Sequence, residues 1–265
     1  MRILTIALFC CALVTACAGN KPETEMKVST QSQMEVFKGA GYEYDSIVSP
    51  TGRVINLVFI KHGSIAIDID GYMVYVDPVT MFCDDFAHLP KADMILITHE
   101  HHDHLDSVAV DLLSTDSTRI LSSKRVAEQL PKSTPVAVGA EIEIESVGFS
   151  IKTVPAYNIS PEHLNFHPHS RGDLGFVLSV DGMRIYVAGD TEDIPEMETL
   201  GNEGVDIAFI PVNQPYTMTV EQAIHAVGML KPGVVYPYHY GQTDLSALVA
   251  EFAGRGVDVR VRQLQ

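Results

Sequence analysis

Met94-Ile95-Leu96-Ile97-Thr98-His99-Glu100-His101-His102-Asp103-His104-Leu105-Asp106 decides how this chain is read. The first four residues are an unbroken apolar run, the pattern of a short strand buried on both faces. Four histidines and three carboxylates then fall within eight residues. So many titratable groups in one turn repel and desolvate one another unless a positive charge holds them. Imidazoles and carboxylates are ligands of zinc, and α/β proteins build their sites at the carboxyl ends of strands. His99 and His101 alternate, so an extended backbone points both the same way. Asp103 and His104 come after the chain turns and can address a second, neighbouring cation. The helical zinc motif of the His-Glu-x-x-His type is excluded, because the fourth position after His99 is Asp103. A solvated histidine-rich loop or a tag fits poorly with an internal run that mixes in carboxylates and follows a buried strand.

The rest of the chain narrows the reading. It has 265 residues, 46% of them hydrophobic, enough for one α/β core or two small ones. The formal charge of −16 is offset by no Lys/Arg cluster, so phosphate backbones should repel it and no nucleic-acid partner is expected.

Arg2, the apolar run Ile3 to Ala16 and Val14-Thr15-Ala16-Cys17 resemble a bacterial lipoprotein signal and its lipobox. The run is short for a membrane span. The resemblance implies cleavage before Cys17, lipidation of Cys17 and export to the cell envelope. Ala18 after the cysteine is similar to lipoproteins sorted to an outer membrane, facing the periplasm. Cys10 and Cys11 would leave with the signal, so Cys83 is the one thiol in the folded part and no intramolecular disulfide is expected. Cys83 reads as a packed thiol rather than a nucleophile. Residues 18–33 are polar and read as a flexible tether between lipid and domain.

From Val54 the pattern is strands: Val54 to Ile60, Ser64 to Ile69, an Asp70-Gly71 hairpin, and Tyr72 to Val76 ending at Asp77-Pro78. After the histidine-rich turn come helical spacing at Ser107 to Leu113, a strand at Arg119 to Leu121 and a short helix at Lys124 to Leu130. Strands Glu141 to Glu145 and Phe149 to Val154 precede a connection, Pro155 to Arg171, long enough to read as functional. The second half repeats the outline: Leu174 to Val180, an Asp181-Gly182 hairpin, and Met183 to Val187 running into Gly189-Asp190-Thr191. Val205 to Ile210 is a further buried strand. Thr219 and Gln222 form a capping box for a helix to Leu230. Val234 to Tyr236 delivers His239, and a helix at Leu245 to Phe252 and a strand at Val257 to Val261 close the chain.

His99-x-His101-x-Asp103-His104, Gly189-Asp190-Thr191 and the strand-end His239 resemble the metallo-β-lactamase-fold hydrolases, from about Val54 to the C-terminus. The resemblance implies an α/β fold, an αββα sandwich of two pseudo-duplicated halves, for a domain spanning residues 34–265. It implies one metal on His99, His101 and a third histidine, a second on Asp103, His104 and His239, and Asp190 bridging the two. Relatives place the third histidine after the strand that ends at Val154, where this chain has Pro155-Ala156-Tyr157-Asn158. Either Asn158 fills that slot poorly, or His163, His167 or His169 reaches in. His167 is preferred, because Phe166-His167-Pro168 reads as a fixed turn. His62-Gly63, Val76-Asp77-Pro78, Gly189-Asp190-Thr191 and Met218 are similar to the ascorbate-phosphate lactonase-like branch. That branch also resembles the N-acyl-phosphatidylethanolamine phospholipase D relatives. A bridging Asp190 argues against a true β-lactamase.

The implied reaction is metal-assisted hydrolysis of a small ester, lactone or phosphodiester. Two divalent ions about 3.5–4 Å apart would share a hydroxide whose parent water has a pKa near 7. Zinc is the default, with manganese or iron as alternatives. Asp103 is the expected catalytic group, orienting the nucleophile or relaying its proton. Glu100, Asp106 and Asp77 are expected to orient imidazoles, and His62, Asn213, Tyr216 and Tyr240 to border the pocket mouth. Two other readings stand beside this one: a membrane-tethered phosphodiesterase acting on lipid head groups, and a non-catalytic metal-binding envelope protein. Asn158 in a ligand slot is the argument for the latter. Expected partners are a small-molecule or lipid-derived substrate and the membrane through Cys17.

Overall fold

Strands covered on both faces carry apolar residues at successive positions, which is why the runs Leu57 to Ile60, Met94 to Ile97 and Ile207 to Ile210 are continuous rather than alternating. The computed structural model describes residues 23–83 and 85–265. The expected signal peptide, residues 1–17 with the lipidation candidate Cys17, lies outside the described residues.

The first sheet contains β1 (Glu43–Val48), β2 (Val54–Lys61), β3 (Ser64–Ile69), β4 (Tyr72–Val76), β5 (Met94–Ile97), β6 (Arg119–Ser122) and β7 (Thr134–Pro135). The second contains β8 (Glu141–Ile144), β9 (Phe149–Ala156), β10 (Asp173–Val180), β11 (Met183–Val187), β12 (Ile207–Pro211), β13 (Val234–Tyr238) and β14 (Asp258–Val259). Neighbours in sequence are neighbours in each sheet. In the first, β1 to β4 pair antiparallel and β4 to β7 parallel. In the second, β8 to β11 pair antiparallel and β11 to β14 parallel. The second half therefore repeats the first strand for strand. Both internal hairpins turn on Asp-Gly with positive φ at each residue: 52° and 87° at Asp70-Gly71, 51° and 83° at Asp181-Gly182. This is the turn that matches strand twist. Arg53 joins the two turns, donating to Asp70 and, at 3.4 Å, to Asp181.

The two sheets face each other across one apolar layer. Leu57, Phe59, Ile67 and Val76 of the first meet Ile151, Phe176, Leu178, Phe209 and Tyr236 of the second. The alternate residues face outward under helices. α1 (Glu23–Gly39), α2 (Ser107–Leu113) and α3 (Lys124–Gln129) cover the first sheet through Met34, Phe37, Val110 and Val126. α4 (Glu196–Glu203), α5 (Val220–Leu230) and α6 (Ser246–Phe252) cover the second through Met197, Val227 and Leu248. The layers are thus helix, sheet, sheet, helix. Thr219 and Gln222 make the reciprocal capping box at the start of α5. Among the described residues, no helix is long and apolar enough to cross a membrane.

Three stretches differ from the sequence reading. Of the expected tether, residues 18–22 lie outside the described ones and residues 23–33 belong to α1. The helix continues to Gly39 because Met34 and Phe37, one turn apart, are buried against the first sheet, with Phe37 packed on Tyr42 and Tyr75. β1 is a half-exposed edge strand whose polar residues masked it. α4 buries only Met197 and Leu200, too thin an apolar stripe to announce a helix.

Candidate metal centre

Strand ends from both halves meet at one edge of the sandwich. β4 releases Asp77, β5 releases Thr98 to His104, β11 releases Gly189-Asp190, β13 releases His239, and the loop from β9 to β10 returns with His167. Two backbone hydrogen bonds clasp the halves there. Leu174 N donates to Thr98 O at 3.1 Å, and His239 N donates to His62 O at 3.3 Å.

His99, His101 and His167 form one group, their ligand nitrogens within 4.8 Å of one another. Nε2 of His99 lies 3.1 Å from Nδ1 of His101. Behind His99, its Nδ1 is 2.9 Å from the Thr98 hydroxyl. Behind His167, Nδ1 lies 3.3 Å from Asp173 Oδ2, so Nε2 faces inward. Asp173 also accepts from Arg171 Nε at 2.7 Å, and Arg171 pairs with Glu100 at 2.8 Å. Glu100 thus reaches the site through Arg171 and Asp173, and its charge also acts on His101.

Asp103, His104 and His239 form a second group, with His62 beside them. His104 Nδ1 donates to Asp77 Oδ2 at 2.8 Å, which turns Nε2 inward. Asp77 is itself fixed by the Thr98 backbone N at 2.8 Å and hydroxyl at 2.6 Å. Gly63 lets this ring approach: a Cβ there would sit 2.9 Å from His104 Cε1. His239 Nε2 lies 3.5 Å from both Asp103 Oδ2 and Asp190 Oδ2. Asp190 stands between the groups, with one carboxylate oxygen or the other 3.4 Å from His104 Nε2, 3.4 Å from His167 Nε2 and 3.9 Å from His99 Nε2.

The donor set fits a divalent cation. His104 Nε2, His239 Nε2 and Asp190 Oδ1 are buried without a hydrogen-bond partner among the described residues, a costly state for polar atoms. They converge on one another at spacings too long for good hydrogen bonds and suited to atoms that share an ion.

The electrostatics agree. Burial pushes His99 well below its ordinary pKa, and burial together with the neighbouring His167 lowers His101. Burial likewise lowers His62. Burial opposes charge on His104 too, yet the Asp190 and Asp77 carboxylates hold its pKa well above the usual value. Burial would raise Asp103 and Asp190. The His239 and His62 nitrogens facing Asp103, and the charges of His239 and His104 beside Asp190, instead keep both below the usual carboxylate range.

The other expected residues fall into place one by one. Asp106 caps α2 by accepting from Val108 N and also binds Thr80, so it orients no imidazole. Asn158 braces the loop that carries His167: its amide donates to Tyr216 O at 2.8 Å and its backbone N to His167 O at 2.7 Å. His163 pairs with Glu192 at 3.1 Å, His169 packs on Tyr157, and His102 is exposed. A cavity of about 450 Å³ opens over the centre, bordered by His62, Phe166, Asn213 and Tyr216. Tyr240 is not at its mouth; its hydroxyl donates to Arg262 O at 2.7 Å. Cys83 is buried, its sulfur 2.8 Å from the Tyr42 hydroxyl. Asp173 and Arg171 were not singled out from the sequence, since nothing in a loop flank marks the residue that will stand behind a histidine.

The sequence profile of the β-lactamase superfamily domain matches residues 56–239. A UPF0173 metal-dependent hydrolase of Thermococcus onnurineus is 32% identical over 197 residues, 71% of this chain and 85% of that protein. One from Thermus thermophilus is 36% identical over 157 residues, 57% of this chain and 66% of that protein. The crystal structure of a Parabacteroides distasonis protein bearing the name metal-dependent hydrolase is similar with a TM-score of 0.80 at 44% identity, covering 84% of this chain and 100% of that one.

Proposed function

We propose, for a chain that belongs to the β-lactamase superfamily and within it to the UPF0173 metal-dependent hydrolases, that its centre takes two divalent cations and hydrolyses a small lactone, another ester or a phosphodiester. The observation that carries this reading is the convergence of His104 Nε2, His239 Nε2 and Asp190 Oδ1, buried and unpartnered, beside a separate triad of imidazoles. His99, His101 and His167 would hold one cation, Asp103, His104 and His239 the other, and Asp190 both. Zinc suits so nitrogen-rich a set, with manganese or iron as alternatives. Such ions supply a Lewis acid for the scissile carbonyl or phosphoryl oxygen and lower the pKa of a water to about 7.

The chain's own groups do the rest. Of the two carboxylates lining the cavity, Asp103 is the more open, its side chain 24% exposed against 3% for Asp190, so it is placed to orient the attacking water. Asp77 and Asp173 hold His104 and His167 in the tautomers that present Nε2 inward. Asn213 and Tyr216 line the cavity beside His239. The cavity volume suits a small substrate, within the range of about 300–1,000 Å³ usual for such sites.

The proposal includes the cellular address: cleavage before Cys17, lipidation there, and a periplasm-facing enzyme tethered to the outer membrane. A second reading, a phosphodiesterase acting on lipid head groups, is favoured by Ile159, Leu164 and Tyr216. They are 43%, 41% and 45% exposed on the two loops beside the cavity, where an acyl chain would lie.

The test is to strip the protein with a chelator, reload it with zinc, and assay lactones, soluble phosphodiesters and phospholipid vesicles beside the Asp103→Asn variant. Turnover of a small ester or diester that disappears on stripping, returns on reloading and collapses in Asp103→Asn is the expected result. Preference for the vesicle substrate would favour the second reading, and no turnover of any class by the reloaded protein would overturn both.

A further inference from the structure

We propose that His62 is a further ligand of the cation assigned to Asp103, His104 and His239, an inference that rests on the two-cation reading above. The first support is distance. His62 Nε2 lies 3.4 Å from Asp103 Oδ2, while Nε2 of His239 lies 3.5 Å and Nε2 of His104 lies 4.0 Å from that same oxygen. Measured from the carboxylate oxygen, His62 is as close as the histidines already assigned. The ligand atoms of His62, Asp103, His104 and His239 all fall within 4.8 Å of one another. A separation of 3.4 Å is long for a nitrogen donating to a carboxylate and ordinary for two atoms that share an ion.

The second support is how firmly the ring is held. It lies between Phe82, at 4.5 Å between ring centroids, and His239, at 3.7 Å. Its backbone carbonyl accepts from His239 N, so the two histidines are tied by main chain as well as by stacking. The turn that carries it is defined as well: His62 has φ of 56° in the two-residue connection from β2 to β3, close to the values of Asp70 and Asp181 in the other tight turns.

With His62 included, the second cation is addressed by three imidazoles and Asp103, while the first has three imidazoles. Asp190 lies between them. The second would then be the more tightly held of the two, and His62 would set that order.

The experiment measures zinc affinity by chelator competition, and the absorption of the cobalt-substituted protein, in the full chain and in His62→Gly, His62→Phe and His239→Ala. His62→Gly suits the turn and leaves a ring-shaped gap; His62→Phe keeps the ring and removes the nitrogens. Thermal melting of each variant checks that it folds. The expected result is that one equivalent of the two weakens by about tenfold or more in both His62 variants. The cobalt bands should change intensity with coordination number, and added imidazole should restore both readouts in His62→Gly. If affinity and spectrum stay as in the parent while His239→Ala loses an equivalent, the ligand assignment of His62 falls and the two-cation reading stands. Weakened affinity without a cobalt change or imidazole rescue also overturns it, leaving His62 as a support for Asp103. If His239→Ala loses nothing either, the two-cation reading itself fails.

Discussion

Asp77 and Asp190 follow topologically equivalent strands, β4 in the first half and β11 in the second, and do different work. Asp77 is fully enclosed behind His104 and Thr98 and never faces the cavity. Asp190 stands two residues further from its strand, among four imidazoles. The same contrast runs through the halves. The first packs His99, His101, Asp103 and His104 into the single turn after β5. The second scatters His167, Asp190 and His239 over three loops. Duplication of the sheet supplies matching strand ends at one edge, and the length of each connecting loop decides whether an acid becomes a ligand or a support.

The sharpest way to break this comparison is to neutralise each acid in turn. Asp190→Asn keeps the shape and removes the charge between the groups. It is expected to lose at least one metal equivalent by elemental analysis and to lower turnover by about 10²–10³-fold, the scale of losing one centrally placed electrostatic group. Asp77→Asn should be milder, weakening metal affinity by about 10–100-fold through the loosened His104, as read by chelator competition. Effects of equal size would erase the distinction between ligand and support.

A third effect concerns the stripped protein. His99, His101 and His62 are held below their ordinary pKa, so below about pH 6.5 the unfolded chain binds protons that the folded one does not. Stability then falls as the pH drops through that window. His104 offsets this only in the upper part of the window. Its raised pKa contributes stability that is complete below about 6.5 and is lost only as pH rises through the raised value. The contributions of Asp103 and Asp190 persist until pH falls below the usual carboxylate range. The melting temperature of the chelator-treated chain should therefore drop between pH 7 and pH 5.5; a flat or rising curve would contradict the buried neutral imidazoles.

The smallest effect on chemistry is expected at the opposite pole, where Arg53 joins the two hairpin turns through Asp70 and Asp181. Arg53→Ala should cost about 1–2 kcal/mol of stability in denaturant titrations and leave metal affinity unchanged. A change in metal affinity would mean that the far turns are coupled to the site.

Much of this was legible in the chain. Continuous apolar runs gave the buried strands, the two Asp-Gly turns gave the hairpins and hinted at the repeat, and alternation in His99-x-His101 gave two side chains on one side. What escaped has physical reasons. Among the described residues, α1 and α4 carry two apolar side chains each into the core, so their polar faces dominate the pattern. Asp106 looked like a partner of imidazoles because it is close in sequence, yet a helix start claimed it first. His167 was one of several loop candidates, and the contacts that single it out, Asp173 behind the ring and Asn158 bracing the loop, join residues whose pairing no periodicity records.

The measurement that bears most directly on the centre is metal content per chain by elemental analysis, in the parent and in His167→Ala. Two equivalents in the parent, falling toward one in His167→Ala, is the expected result. One equivalent or none in the parent, unchanged by His167→Ala, would contradict a centre built for two cations.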